Sequence, residues 1–420
     1  MRVRARDATA LAAGSAVSGA LAYVFFALVT RALGAEAAAP VSVLWTYWSF
    51  AAAALTFPVQ HWIVRTVTAR GGEAPVRTAL PRVSVVVLVV SGAVGTVSWL
   101  LRDPLFHRND LWFPLLVAGV TMGSAWVGVL RGVLTARQRF RAVSWALISE
   151  NLLRCLAAAA LMVAGVKAAL GYGISLLAGQ LVGLLWPSSL RLGREGSRAD
   201  DGASWGRFIG GAAGGQLLSQ MVLTGGPIVL ALSGGSPAEV TALFAGLALF
   251  RAPYTLALGV VGQATGKLTS LVVQGRFDVL VKVRRSVVVL TVLGAGAAAV
   301  SGGLAGPYLV RAVFGSDVVL SADVALMIAV GSALALGNLA MSVLVMAHDR
   351  VGGMAAAWVV AAAVGGVVLA LAGGSAAQAT SWAFVAAEAA AFVALCLREI
   401  LAREPATAAA PPRDPVGKSS

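Results

Sequence analysis

Ala238–Lys267, AEVTALFAGLALFRAPYTLALGVVGQATGK, decides how the whole chain is read. An α-helix crosses the hydrocarbon core of a bilayer in about 20 residues, so this stretch can span a membrane. It is apolar except near its centre, where Arg251 stands two residues before Pro253. An arginine at mid-membrane costs about 2.5–3.5 kcal/mol on insertion scales, so it is expected to face a cavity or a partner rather than lipid. Pro253 has no N–H to donate and its ring crowds the preceding turn, so a kink is expected there. Helical spacing puts Phe244, Leu247, Thr255, Leu258 and Gly262 on the arginine's face. A cation on a bent intramembrane helix suggests a site for an anion.

The rest of the chain reads as a container for that helix. Of its 420 residues 59% are hydrophobic and only 12% charged, which is a polytopic membrane composition. Twelve spans are predicted, at 9–30, 40–64, 83–101, 111–133, 143–166, 169–190, 208–232, 238–265, 286–305, 320–346, 351–372 and 376–397. The 32 lysines and arginines test that count. Apart from Arg154 and Arg251 inside spans, and counting Arg131 at the inner end of span four with the basic connection after it, 25 fall on the N-terminus, the even-numbered connections and the tail, and 5 on the odd-numbered connections. This asymmetry predicts a protein of the cytoplasmic membrane with both termini in the cytoplasm. The net charge of +14 is then an orientation signal and a match to anionic lipid heads, with no call for nucleic acid. The basic connection RGVLTARQRFRAV, with Arg131, Arg137, Arg139 and Arg141, reads as such a loop, or more sharply as a trap for a phosphorylated lipid head.

The polar segment RLGREGSRADDGASWGR at 191–207 divides six spans from six. Residues 1–190 are expected to form one bundle, 208–400 a second, and 401–420 a disordered cytoplasmic tail. The connection ALGAEAAAPVSVLW after span one loosely echoes ALSGGSPAEVTALF after span seven, as two parallel six-helix repeats would. The fold class is all-α, polytopic, with pseudo-two-fold symmetry.

Polar residues inside the spans supply the remaining candidates. Glu150 and Arg154 are four apart and can pair along one helix face. Glu150, Glu388 and Asp323 are the acids available for coupling to an ion. Gln180, Gln216, Gln220 and Asn338 can line a polar path, and Gly179 and Gly183 around Gln180 have the spacing of helix packing. Gly225-Gly226-Pro227 should loosen or break span seven, so Pro227 and Pro253 are the expected hinges. Cys155 and Cys396 imply no disulfide framework, and the three histidines have no zinc spacing. No cofactor is called for: the Walker A pattern fails at Val261 and Leu268. The outer connections are too short for a catalytic surface, so a transporter rather than an enzyme is expected.

The layout of twelve spans in two halves, TRALGAE and Pro40 after the first helix, ARQRFRAVSWALISENLLR at 136–154 and FRAPYTLALGVVGQATGKL at 250–268 together resemble a known family. It is the polysaccharide-biosynthesis branch of the multidrug/oligosaccharidyl-lipid/polysaccharide (MOP) exporter superfamily, the O-antigen-type flippases. The resemblance implies a V-shaped transporter that moves polyprenyl-pyrophosphate-linked oligosaccharide by alternating access, with Arg251 as a cation of the central cavity. It also implies glycosyltransferases or a glycan polymerase as partners. Two other readings stay open: an ion-coupled drug or small-molecule exporter of the same architecture, and a non-transporting scaffold for glycan enzymes.

Overall fold

The computed structural model describes residues 5–189, 191–195, 204–258, 261–347 and 351–401. These residues are helical with short connections and contain no strand. The middle of the 191–207 linker, His348 and the tail beyond Leu401 lie outside the described residues.

Eight helices are long and apolar enough to cross a membrane, and ten if each of two bent pairs is one span. One of the eight, Thr9–Arg70, is 62 residues long. At a rise of 1.5 Å per residue it would be about three bilayers long. It reverses at Gly34, whose φ of 77° is a conformation that glycine reaches without strain. The reversal brings the rings of Phe25 and Trp45 to 5.2 Å, so this run is spans one and two. The shorter apolar helix Ala169–Leu185 is span six and completes the predicted twelve. Rows of exposed apolar side chains, among them Leu88 and Val89 in span three and Leu290, Leu293 and Leu304 in span nine, have no protein cover. Such faces belong against lipid, and the chain is a multi-pass membrane protein.

Local sequence explains the irregular points. Span two contains a π-turn at Ala52–Thr56, just before Pro58 in the helix Phe57–Arg70. The widened turn absorbs the hydrogen bond that Pro58 cannot make. Span four approaches there closely: a Cβ on Gly128 would lie 2.8 Å from the Thr56 carbonyl oxygen. Span eight begins with a capping box, in which Glu239 N donates to Ser236 Oγ at 3.3 Å and Ser236 N donates to Glu239 Oε2 at 2.8 Å.

The two halves meet at the end that carries the Gly34 turn, and again along span two, where Ser204–Thr224 packs on Ala52–Thr56 and Phe57–Arg70. Phe26 lies against Phe244 (4.4 Å between centroids) and Phe314 (5.5 Å). Thr241 Oγ1 donates to the Ala35 carbonyl at 2.7 Å, and Arg31 Nη2 to the Ala312 carbonyl at 2.6 Å. The two echoing connections therefore touch each other. Farther along, Val261–Val273 leaves span one and packs on spans nine and ten, Phe277–Phe314 and Ala322–Ala347.

One sequence expectation is corrected here. Arg131 is not in a solvated loop; it lies inside the helix Trp112–Ala136, buried, with its guanidinium on Glu150. Arg137 is also committed. Its Nε and Nη2 donate to the two Glu73 oxygens at 2.6 and 2.8 Å, and other donors reach the Ser188 and Arg191 carbonyls. Two of the four arginines of the expected lipid-head trap are thus internal clamps.

Candidate functional site

Span seven breaks by 68° between Ser204–Thr224 and Gly226–Leu232. Pro227 explains where. In a continuous helix the Leu223 carbonyl would accept from the N–H of residue 227, and proline has none. That carbonyl is orphaned at membrane depth, where an unsatisfied polar group is costly. Arg251 supplies the missing donor: its Nη1 reaches the Leu223 oxygen at 3.0 Å.

Arg251 itself sits at the 49° bend of span eight, between Pro237–Phe250 and Ala252–Leu258. Its Nε donates to the Leu247 carbonyl at 2.8 Å, and Tyr23 Oη on span one donates to the neighbouring Ala248 carbonyl at 2.8 Å. One guanidinium therefore ties the break in span seven to the bend in span eight. It does so with neutral acceptors only, because Arg251 forms no ion pair among the described residues. Among the described residues Nη2 has no hydrogen-bond partner. The side chain is only partly buried. An anion could use both the charge and the free donor.

Glu388 is the acid nearest in function to that cation. It is fully buried on span twelve and lies within electrostatic reach of Arg251 and Tyr254. Its hydrogen-bond partner is Asn338 of span ten, whose Nδ2 donates to Oε2 at 2.7 Å and to the Glu388 carbonyl at 2.9 Å. Glu388 Oε1 and Asn338 Oδ1 are both buried without a donor. A proton or a small cation would satisfy such an orphaned acceptor.

The other acids are already engaged. Glu150 in span five lies between two guanidiniums, Arg131 of span four and Arg154, whose Nη2 donates to Oε1 at 2.6 Å. Arg154 is fully buried and also donates to Asn151 Oδ1 (3.0 Å) and the Leu176 carbonyl (3.1 Å). Asn151 Nδ2 passes the network on to Ser18 Oγ at 2.8 Å. The guanidinium stacks 4.3 Å from the centre of the Trp48 ring. Gly179 packs against that guanidinium and Gly183 against the Trp126 indole, so this glycine pair serves close approach. Asp323, at the start of span ten, is exposed and accepts from Gln378 Nε2 at 2.6 Å.

The four predicted polar liners scatter. Gln180 is buried within the N-terminal half, its amide donating to the Gly123 carbonyl (3.0 Å) and accepting from Trp48 Nε1 (3.3 Å). Gln216 is exposed on span seven, and Gln220 donates to Thr224 Oγ1 at 3.3 Å. Asn338 alone is beside Glu388. Tyr23 and the Glu73 clamp were not among the predicted residues. The orphaned Leu223 carbonyl could have been found by counting four back from Pro227.

The Glu73 clamp pins the segment after span six, for Gly193 N also donates to Glu73 Oε2 at 2.7 Å. The hydrogen bonds from Arg137 hold the Glu73 carboxyl below its ordinary value. A depressed carboxylate pKa gives stability that is present above the unfolded value of about 4.3 and lost as pH falls through the folded value. Glu73→Gln is expected to speed trypsin cleavage after Arg191 and Arg194 several-fold at neutral pH. Equal cleavage at neutral pH would show that the clamp holds nothing.

No protein-family profile matches the sequence, and no curated protein does. Solved structures do. An inward-facing multidrug-resistance MATE family transporter of the MOP superfamily superposes with a TM-score of 0.70 at 14% identity, over 92% of this chain and 96% of that one. The fold is that of the MOP-superfamily transporters. The lipid II flippase MurJ, in an inward closed conformation, gives 0.66 at 10% identity over 93% and 86%. A MOP superfamily transporter from Pyrococcus furiosus gives 0.61 at 13% over 94% of both chains. An outward-facing MATE transporter fits less well, at 0.60.

Proposed function

We propose that this protein is an alternating-access transporter of the cytoplasmic membrane, and that its cargo is a polyprenyl-pyrophosphate-linked oligosaccharide. The observation that carries the reading is Arg251, a guanidinium with no ion-pair partner among the described residues, held at the joint of two broken spans. A pyrophosphate is the anion for which such a fork is suited. The hinge points Pro227 and Pro253 flank it, so movement of either half would move the cation. The likeness to MurJ supports a lipid-linked cargo, and glycosyltransferases or a glycan polymerase would be the natural neighbours. The expected result is that deleting the gene makes lipid-linked glycan accumulate on the cytoplasmic face, and that the wild-type gene clears it. Absence of accumulation would remove this reading.

A second reading, an ion-coupled exporter of small molecules, is favoured by one specific observation. Glu388 and Asn338 present two buried oxygens with no donor, as a coupling site for a proton or cation would. The likeness to the multidrug MATE transporter supports it equally. Overexpression would then raise resistance to cationic dyes and leave lipid-linked glycan untouched.

A further inference from the structure

Span one, in the N-terminal half, meets span eight, in the C-terminal half, along a row of contacts. Thr241 Oγ1 donates to the Ala35 carbonyl at 2.7 Å, Phe26 packs on Phe244 at 4.4 Å, and Tyr23 Oη donates to the Ala248 carbonyl at 2.8 Å. Residue numbers fall along span one as they rise along span eight, so the row runs inward from the Gly34 turn and reaches Tyr23 just before the bend. It continues beyond the bend, where a Cβ on Gly19 would lie 3.3 Å from Thr255 Cγ2. Span one therefore lies across both arms of the bend at Arg251.

Tyr23 decides what is left for that arginine to do. Nε of Arg251 holds the Leu247 carbonyl at 2.8 Å and Nη1 holds the Leu223 carbonyl at 3.0 Å. The next carbonyl along, that of Ala248, lies three residues before Arg251 on the same turn, and the Tyr23 hydroxyl occupies it. Take the hydroxyl away and this oxygen is open at membrane depth, where a carbonyl without a donor is costly and a charged donor is the stronger partner. The guanidinium that already holds its neighbour is then the donor that can take it.

We infer that Tyr23 is a positioning residue for Arg251. By occupying the Ala248 carbonyl while the halves are joined at the Gly34 end, it leaves Nη2 of Arg251 for an anion. When the halves part, Tyr23 withdraws with span one, the Ala248 carbonyl claims Nη2, and the anion is let go. Separation of the halves and release of the anion are thus one movement. The inference rests on the anion site and the alternating access proposed above.

The test uses the purified full-length protein in detergent, with Cys155→Ala, Cys396→Ala and one reporter, Ala245→Cys. Ala245 is fully buried and shares the helical stripe of Thr241 and Ala248, so a maleimide reaches it when the halves part. Saturating inorganic pyrophosphate is expected to slow its labelling at least about tenfold, because an anion held best in the joined state favours that state. Arg251→Ala should abolish the slowing. Tyr23→Phe keeps the ring and loses only the hydroxyl. It should weaken pyrophosphate binding about tenfold and leave less than about a twofold slowing at saturation. A hydroxyl that served stability alone would lower the melting temperature on removal and keep the slowing. Equal slowing by sodium chloride at matched ionic strength would be an effect of salt and would overturn the inference. Pyrophosphate that binds the parent chain without slowing its labelling, or that protects Tyr23→Phe as well as the parent, would overturn the role of Tyr23 and leave the anion site standing. No binding of pyrophosphate to the parent would remove the anion site and this inference together.

Discussion

Arg251→Ala is expected to abolish rescue of glycan export at normal membrane abundance, and Pro227→Ala in the same chain is expected to restore its stability without restoring transport, read against Pro227→Ala alone because Pro227 is also a hinge. Two roles meet in this side chain. As a cap, it satisfies the Leu223 carbonyl that Pro227 leaves open. Losing a donor to a buried carbonyl costs about 1–3 kcal/mol. Alanine at 227 returns the N–H, so the helix can close over that carbonyl by itself. As a charge, Arg251 has no ion-pair partner among the described residues, and Glu388 acts on it only at a distance. A charge-assisted contact to a phosphate oxygen is worth about 1.5–3 kcal/mol, or about 10–100-fold in affinity. Lysine at 251 keeps the charge but lacks the planar fork that reaches two carbonyls at once, so it should retain part of the transport and part of the stability. Transport by the double variant at wild-type level would show that Arg251 is only a cap, and the anion site would fall with it.

The sequence shows its architecture more plainly than its site, for a physical reason. Span length, hydropathy and the sorting of Lys and Arg are one-dimensional properties, and all twelve predicted spans have helices where they were expected. The two bends were legible because proline acts locally: Pro227 and Pro253 each disturb a hydrogen bond four residues back. Pairings across helices were not legible. Arg131 stands at the edge of a basic run and looks like its loop neighbours, yet one more helical turn buries it against Glu150. Glu73 carries no local sign that Arg137, 64 residues on, will clamp it. Asn338 and Glu388 were each recognised as unusual, but only the packing of spans ten and twelve makes them one site. Gln180 shows the reverse failure, since a polar residue in a span was read as facing a path and its amide is used on Gly123 and Trp48 inside the N-terminal half.

Glu150→Ala is expected to be the most destabilising single substitution in the N-terminal half, at about 3–5 kcal/mol. The carboxylate separates two buried guanidiniums, and without it Arg131 and Arg154 repel each other where water does not reach. Arg154 is 0% exposed, so it has no route by which to hydrate its charge. Thermal unfolding in detergent, followed by intrinsic tryptophan fluorescence, would report the loss. The complementary variant removes the whole set, Arg131→Met with Glu150→Leu and Arg154→Met. Replacing a complete buried ion cluster by apolar groups is often neutral or stabilising, so this triple variant should melt close to wild type. An unchanged melting temperature in Glu150→Ala alone would mean that the triad holds nothing together. The triple variant also separates scaffold from mechanism. If it folds and transports, the triad only fixes spans four and five. If it folds and does not transport, Glu150 returns as a coupling group, and Glu388 loses its claim to be the acid that drives the cycle.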